Sequence, residues 1–218
     1  MSDQWLICRK YEPNDRAAVR FICCETGHLG DPIDPYFSDR EVFADFVTRY
    51  YTDVDSAWSW VLEDRGEVVG YLTGCPDSKV YAAKVKKVWA LVATKALARG
   101  VPLRPSSGRL TWRLLWDVAR ERPSFGHYGP EYPAHLHINL LPQARGRGGG
   151  RMLIDAYLAA LRAASIRGVF LETSCENTRA VAFFRSMGFA PLHAAPSPGG
   201  RLADGGRIHV LAMGMRLR

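Results

Sequence analysis

Pro142-Gln143-Ala144-Arg145-Gly146-Arg147-Gly148-Gly149-Gly150-Arg151 joins a β-rich run, Ala134–Leu141, to an amphipathic helical run, Gly150–Ala164. In the second run Met152, Leu153, Tyr157, Leu158 and Leu161 recur at helical spacing and predict one buried face. Glycine at 146, 148, 149 and 150 lets the backbone turn tightly and present its N–H groups without Cβ interference. Those amides fall at a helix N-terminus, where the macrodipole adds roughly half a positive charge. Arg145, Arg147 and Arg151 add formal charge. Together they describe an anion cradle for which a pyrophosphate is the natural guest.

Two familiar phosphate motifs fail on specific residues. A Walker loop needs Gly-Lys followed by Ser or Thr, whereas Gly150 is followed by Arg151 and Met152. A dinucleotide fingerprint, G-x-G-x-x-G, would place its third glycine on Arg151, and its first strand would lie too late in the chain. Downstream of the cradle, Val169–Thr173 reads as a strand after the stop Arg167-Gly168. Thr178–Met187 then reads as a helix ended by Gly188 at C′. A β-α-β unit of this length predicts parallel strands with a right-handed crossover.

Arg145-Gly146-Arg147-Gly148-Gly149-Gly150 resembles the acetyl-CoA signature of the GNAT N-acetyltransferase superfamily, R/Q-x-x-G-x-G/A. Asn177-Thr178-Arg179-Ala180-Val181-Ala182-Phe183-Phe184-Arg185-Ser186-Met187-Gly188-Phe189 is similar to the family's N-x-x-A-x-x-F-Y-x-x-x-G-F segment. The resemblance is close over 134–192. A narrower one, in Tyr132-Pro133-Ala134-His135-Leu136-His137-Ile138-Asn139 and the helical stretch before it, is to bacterial relatives of the acetyltransferase-like C-terminal domain of O-GlcNAcase.

The resemblance implies an α/β (α+β) GNAT fold, with a mixed central sheet of about six or seven strands flanked by helices. It also implies acetyl-CoA as cofactor and transfer of acetyl to a primary amine of a small molecule or protein. Ile138, Asn139, Leu140 and Leu141 would run beside the pantetheine arm, and Arg145, Gly146, Arg147, Gly148, Gly149, Gly150 and Arg151 would hold the pyrophosphate. Asn177 and Phe184 would meet the arm from the second helix, although Asn177 also reads as a plain N-cap. The Leu140 N–H would stabilise the oxyanion. Glu172 stands where some members carry a catalytic glutamate, and equally reads as a solvated or salt-bridged strand residue. His137, or His135 on the same strand face, is the other candidate base. Where the family often has a tyrosine near the leaving thiolate, this chain has Phe184, which has no proton to give. A catalytically weak acetyl-CoA-binding module is therefore the rival expectation.

Upstream, Trp5–Lys10 predicts a strand, Asp15 caps a helix through Cys24, and Ser38 or Asp39 caps a helix to about Tyr50. Ser56–Glu63 and Glu67–Cys75 form a hairpin across Asp64-Arg65-Gly66. Val80–Arg99 and Leu110–Glu121 read as a helical pair inserted at about 76–130, before the central strand. Trp112, Trp116, Tyr128 and Tyr132 are candidates to line the acceptor site together with the loop at 25–38. The tail carries two β-like runs around a loop, Pro196–Gly206. The expected organisation is one domain over 1–218.

The chain of 218 residues has 47% hydrophobic and 23% charged residues, in the range of globular proteins. No apolar run reaches the roughly 18–20 residues of a membrane span, and residues 1–10 lack a secretory signal, so a cytoplasmic setting without membrane is expected. Five cysteines without paired C-x-x-C spacing predict free thiols and no metal site. The charge of +7 is spread along the chain rather than run together. Nucleic acid is accordingly not expected as a partner, while a homodimer is left open.

Overall fold

In the computed structural model, which describes residues 5–104, 107–108, 112, 128–201 and 206–217, the Asp64-Arg65-Gly66 turn forms as read. Arg65 and Gly66 have φ of 54° and 87°, both in the left-handed region that a two-residue type I′ hairpin turn demands. It joins β2 (Ser59–Asp64) to β3 (Glu67–Cys75). With β1 (Leu6–Lys10), β4 (Ala134–Leu140), β5 (Gly168–Ser174), β6 (Ala190–Arg201) and β7 (Arg207–Arg216) they build a seven-stranded sheet in the order β1-β2-β3-β4-β5-β7-β6. Of these neighbours β4 and β5 run parallel and the rest antiparallel.

Alternation along the strands sorts the core into two faces. Leu62, Leu72 and Leu136 face α4 (Gly149–Ala163) and α5 (Thr178–Ser186), where Leu153, Ile154 and Leu161 meet them. Val61 and Tyr71 face α1 (Arg16–Glu25), against Val19 and Ile22. Beyond α1 lie α2 (Arg40–Arg49), prolonged by a wider π-type turn over Tyr50–Val54, and α3 (Ser78–Ala98). Val85, Val88 and Trp89 of α3 share a cluster with Val42 and Ala44 of α2.

Charge also fastens α3. Asp45, almost fully buried on α2, accepts from Arg20 of α1 and, at 2.6 Å, from Lys95 of α3. Burial alone would raise its carboxyl's pKa, but these two cations outweigh it and hold the group below the ordinary range. Asp45 thus ties three helices together, and with either cation removed it would still be paired with the other.

The structure departs from the sequence reading at several ends. Asp15 stands at the N-cap position of α1 as read, but its side chain makes no capping bond: the carboxylate accepts from the Arg9 guanidinium and from the Glu12 N–H at 2.8 Å, closing a turn before the helix. Asp39, not Ser38, caps α2 through the Val42 N–H, and α3 starts at Ser78 because Asp77 accepts from the Lys79 and Val80 amides. The tail loop is shorter than read, since β6 continues through Pro196 to Arg201. β6 is the sheet's outer strand, where a proline's missing N–H breaks no ladder. The expected helix Leu110–Glu121 lies, apart from Trp112, outside the described residues. All five cysteines are free thiols, with Cys23, Cys24 and Cys75 buried.

Candidate active site

β4 and β5 pair only at Ala134–Val169 and His135–Phe170, then part. Antiparallel pairing with β3 continues to Leu140, and the Leu141 N–H donates to the Val69 carbonyl at 2.9 Å. Because successive residues of a strand present their amides to opposite sides, Leu136, Ile138 and Leu140 turn theirs toward β5, which has moved away. The result is a cleft of about 810 Å³ between the strands, lined by Leu136–Leu140 on one wall and Leu171–Ser174 on the other.

The glycine loop closes one end of this cleft. Gly146 and Gly148 have φ of 74° and 85°, and a Cβ on either would meet nothing within 4 Å. Left-handed residues alternating with a residue of negative φ, Arg147, gather amides into a concave nest, and the first turn of α4 adds N–H groups without intrahelical partners. Gly149 serves packing instead. A Cβ there would come within 2.2 Å of Leu62 Cδ2, so the glycine lets α4 sit on the sheet rather than reach into the cleft.

The sequence-derived residues separate accordingly. Ile138, Asn139, Leu140, Arg145, Gly146, Gly148, Gly150, Arg151, Asn177, Phe184, His137 and Glu172 all line the cleft. Three stand off its walls. Leu141 is buried against α1, Gly149 faces Leu62, and Arg147 is turned to Asp64 at the hairpin, 2.5 Å away.

Arg145 is held by carbonyls on both sides, donating from Nε to Leu140 at 2.9 Å and from a terminal nitrogen to Gly30 at 2.7 Å. Burial first, and then the neighbouring Arg179, pull its pKa below the ordinary guanidinium value, as expected where two like charges are gathered. Arg179 escaped the sequence reading, although it sits two residues past the capping asparagine. The segment Thr26–Gly30 forms a further wall: Asn139 donates to Thr26 Oγ1 at 2.6 Å, and Asn177 reaches the Leu29 carbonyl at 3.4 Å. The loop expected to shape the acceptor site therefore borders the cleft.

Asn177 caps α5, its Oδ1 accepting from the Ala180 N–H at 3.2 Å. Asn177→Ala is expected to destabilise the protein by about 1 kcal/mol, and Asn177→Ser far less. An unchanged midpoint in urea unfolding for the alanine variant would show that the cap contributes nothing.

Glu172 and His137 project from the face that carries α1, α2 and α3. Tyr128, anchored with its ring edge on Phe170 at 4.9 Å between centroids, donates its hydroxyl to Glu172 Oε1 at 2.7 Å. Burial pushes the His137 imidazole down to about 4, leaving it neutral near pH 7. His135 is part of the core instead. Ser78 gives its only hydroxyl proton to the Pro133 carbonyl, so His135 Nδ1 donates to Ser78 Oγ at 2.7 Å and Nε2 accepts from Tyr51 at 2.8 Å. Burial first, and then His137, hold the pKa of this ring well below the usual histidine value, so it is neutral near pH 7. Of the other aromatic candidates, Trp112 is exposed, Tyr132 lies over the backbone at Gly168 and Gly214, and Trp116 is outside the described residues.

Parted parallel strands, an amide nest at a helix N-terminus and a carboxylate across the gap define an acyl-group-transfer architecture, and likeness to known proteins agrees. The model of the Acetyltransferase (GNAT) family matches residues 114–189. A solved structure described as SsHAT is 32% identical, covers 98% of this chain and 99% of that one, and superposes with a TM-score of 0.79. The chain belongs to the GNAT acetyltransferase family.

A phosphinothricin acetyltransferase from Sinorhizobium meliloti, solved with acetyl-CoA, shares the fold at 15% identity, with a TM-score of 0.60 over 100% of this chain and 89% of that one. Mycothiol acetyltransferase of Nocardia farcinica is 45% identical over 56 residues, 26% of this chain and 18% of that protein. Rattus norvegicus O-GlcNAcase is 20% identical over 181 residues, 83% of this chain and 19% of that protein, in keeping with the narrower resemblance. The chain thus spans about a fifth of the length of these curated relatives. Among the described residues, no helix is long and apolar enough to cross a membrane.

Proposed function

We propose that the chain binds acetyl-CoA in the cleft between β4 and β5 and transfers its acetyl group to a primary amine by direct attack. The observation that carries this reading is the parting of the two strands after His135 and Phe170, which leaves the Ile138 and Leu140 amides open toward the cleft. An extended pantetheine arm can pair with such an edge as an added strand would. The nest at Gly146–Gly150 and the Arg145–Arg179 pair suit the pyrophosphate at one end. The acceptor, a small molecule or a protein, enters from the side of Thr26–Gly30 and Tyr128. One sheet drawing strands from both ends of the chain supports reading 1–218 as one acetyltransferase domain, with 76–130 as its insertion.

In the transfer, the amine nitrogen forms a bond to the thioester carbonyl carbon and loses a proton to Glu172. The Leu140 N–H donates to the developing oxyanion, and collapse breaks the carbon–sulfur bond to release coenzyme A as thiolate, which takes a proton from water. Calorimetry with acetyl-CoA, followed by coenzyme A release over a panel of amines, tests the reading. Glu172→Gln is expected to lower kcat about 100-fold or more with acetyl-CoA affinity unchanged, and an unaltered kcat would remove Glu172 as base.

A second reading, a binding module with little or no catalysis, draws on Phe184, which is buried against Leu171 on the cleft wall and offers the thiolate no proton. Tight acetyl-CoA binding without release across the panel would favour it.

A further inference from the structure

We propose that Tyr128 is a positioning residue for acetyl transfer, fixing the Glu172 carboxylate at the acceptor side of the cleft through its hydroxyl. This rests on the reading of Glu172 as the base. Phe170 and Glu172 are alternate residues of β5 and point to the same face, and Tyr128 uses both. Its ring edge lies on Phe170 and its hydroxyl donates to Glu172 Oε1 at 2.7 Å. Holding a glutamate in one rotamer costs side-chain entropy. The phenol bears that cost before substrate arrives, because its own ring is already packed. Burial first, and then the adjacent carboxylate, raise the Tyr128 pKa above the ordinary phenol value, so the group stays a donor throughout the neutral range.

The placement also gives the inserted segment a part in the chemistry. Tyr128 stands just before β4, where the chain returns from the 76–130 insertion, and the contact joins positions 44 residues apart in sequence. No proton needs to leave Tyr128: the one taken from the amine resides on Glu172 and passes to solvent after the acetylated amine departs.

The test is a double-mutant cycle on the full chain. Tyr128→Phe keeps the ring on Phe170 and removes only the hydroxyl. It is expected to lower kcat about 10-fold with acetyl-CoA affinity unchanged, and to have no further effect in a Glu172→Gln background. An equal loss in both backgrounds would show that the hydroxyl acts on something other than the carboxylate and would overturn the proposal. So would an unchanged kcat for Tyr128→Phe. If Glu172→Gln alone leaves turnover intact, the base assignment fails, a result distinct from an equal loss in both backgrounds, and the positioning role falls with it. Wild-type protein that binds acetyl-CoA but releases none would overturn both.

Discussion

Replacing Gly148 by glutamate is expected to weaken acetyl-CoA binding by about 30- to 1,000-fold, with the fold intact. Two effects add. Gly148 holds φ at 85°, and a side chain in the left-handed region costs roughly 1–2 kcal/mol. A Cβ there meets nothing within 4 Å, so the new side chain clashes with no core atom, and its carboxylate enters the cleft among the α4 amides. An anion at a helix N-terminus is itself favourable by up to about 2 kcal/mol. It therefore satisfies the amides that the pyrophosphate would use, and it repels the incoming phosphates. Displacing that carboxylate and overcoming its repulsion of the phosphates, together about 2–4 kcal/mol, set the expected range.

The matched control is Gly66→Ala in the β2–β3 hairpin, at φ 87° with open space around it. This substitution strains the backbone equally but far from the cleft. It should lower stability and leave affinity alone. Calorimetric affinity unchanged in Gly148→Glu would mean that the cofactor does not occupy this loop.

Stability should fall steeply between pH 6.5 and pH 4, before the buried carboxylates are protonated. His135 and His137 are kept neutral in the fold, His137 with a pKa near 4 and His135 well below its ordinary value. In the unfolded chain both titrate near 6.5. As the pH drops below 6.5 the unfolded state binds protons that the folded state refuses, so stability falls as pH falls. His137 contributes up to about 1.4 kcal/mol per pH unit, or about 2 kcal/mol at pH 5, and His135 adds a loss of the same sign. The His137 share alone is measurable against the 5–15 kcal/mol typical of a domain. Asp39 and Asp45 have depressed values and add their own loss only below about pH 4. Urea unfolding from pH 7.5 to 5 reads the slope, and His137→Gln should reduce it by about 1.4 kcal/mol per unit. The same slope in wild type and variant would show that His137 is not buried neutral.

The features read from the sequence are those that neighbours along the chain decide. The hairpin follows from Asp64-Arg65-Gly66, because only certain residues tolerate two consecutive left-handed conformations. The amide nest follows from glycines placed between a strand and a helix, and the α5 cap from Asn177. Where the reading erred, competing local partners were close in energy. Asp15 holds the N-cap position of α1 but its carboxylate found Arg9, and Pro196 looked like a loop residue because nothing local reveals that its strand is outermost.

The amino-acid sequence by itself determined the anion cradle at 145–151, the β-α-β unit around it and the family resemblance, all set by contacts within a few residues. Tertiary structure alone decided which of those residues face the cleft. It turned Gly149 onto Leu62 and Arg147 toward Asp64, and it brought Arg179 beside Arg145. It also divided two histidines of one strand face, burying His135 between Ser78 and Tyr51 while leaving His137 on the cleft wall, and it set Tyr128 on Glu172. The physical reason is range: capping, turn geometry and periodicity act over a few residues and leave a signature in order and spacing. Packing and charge pairing act between residues that only the completed sheet makes neighbours.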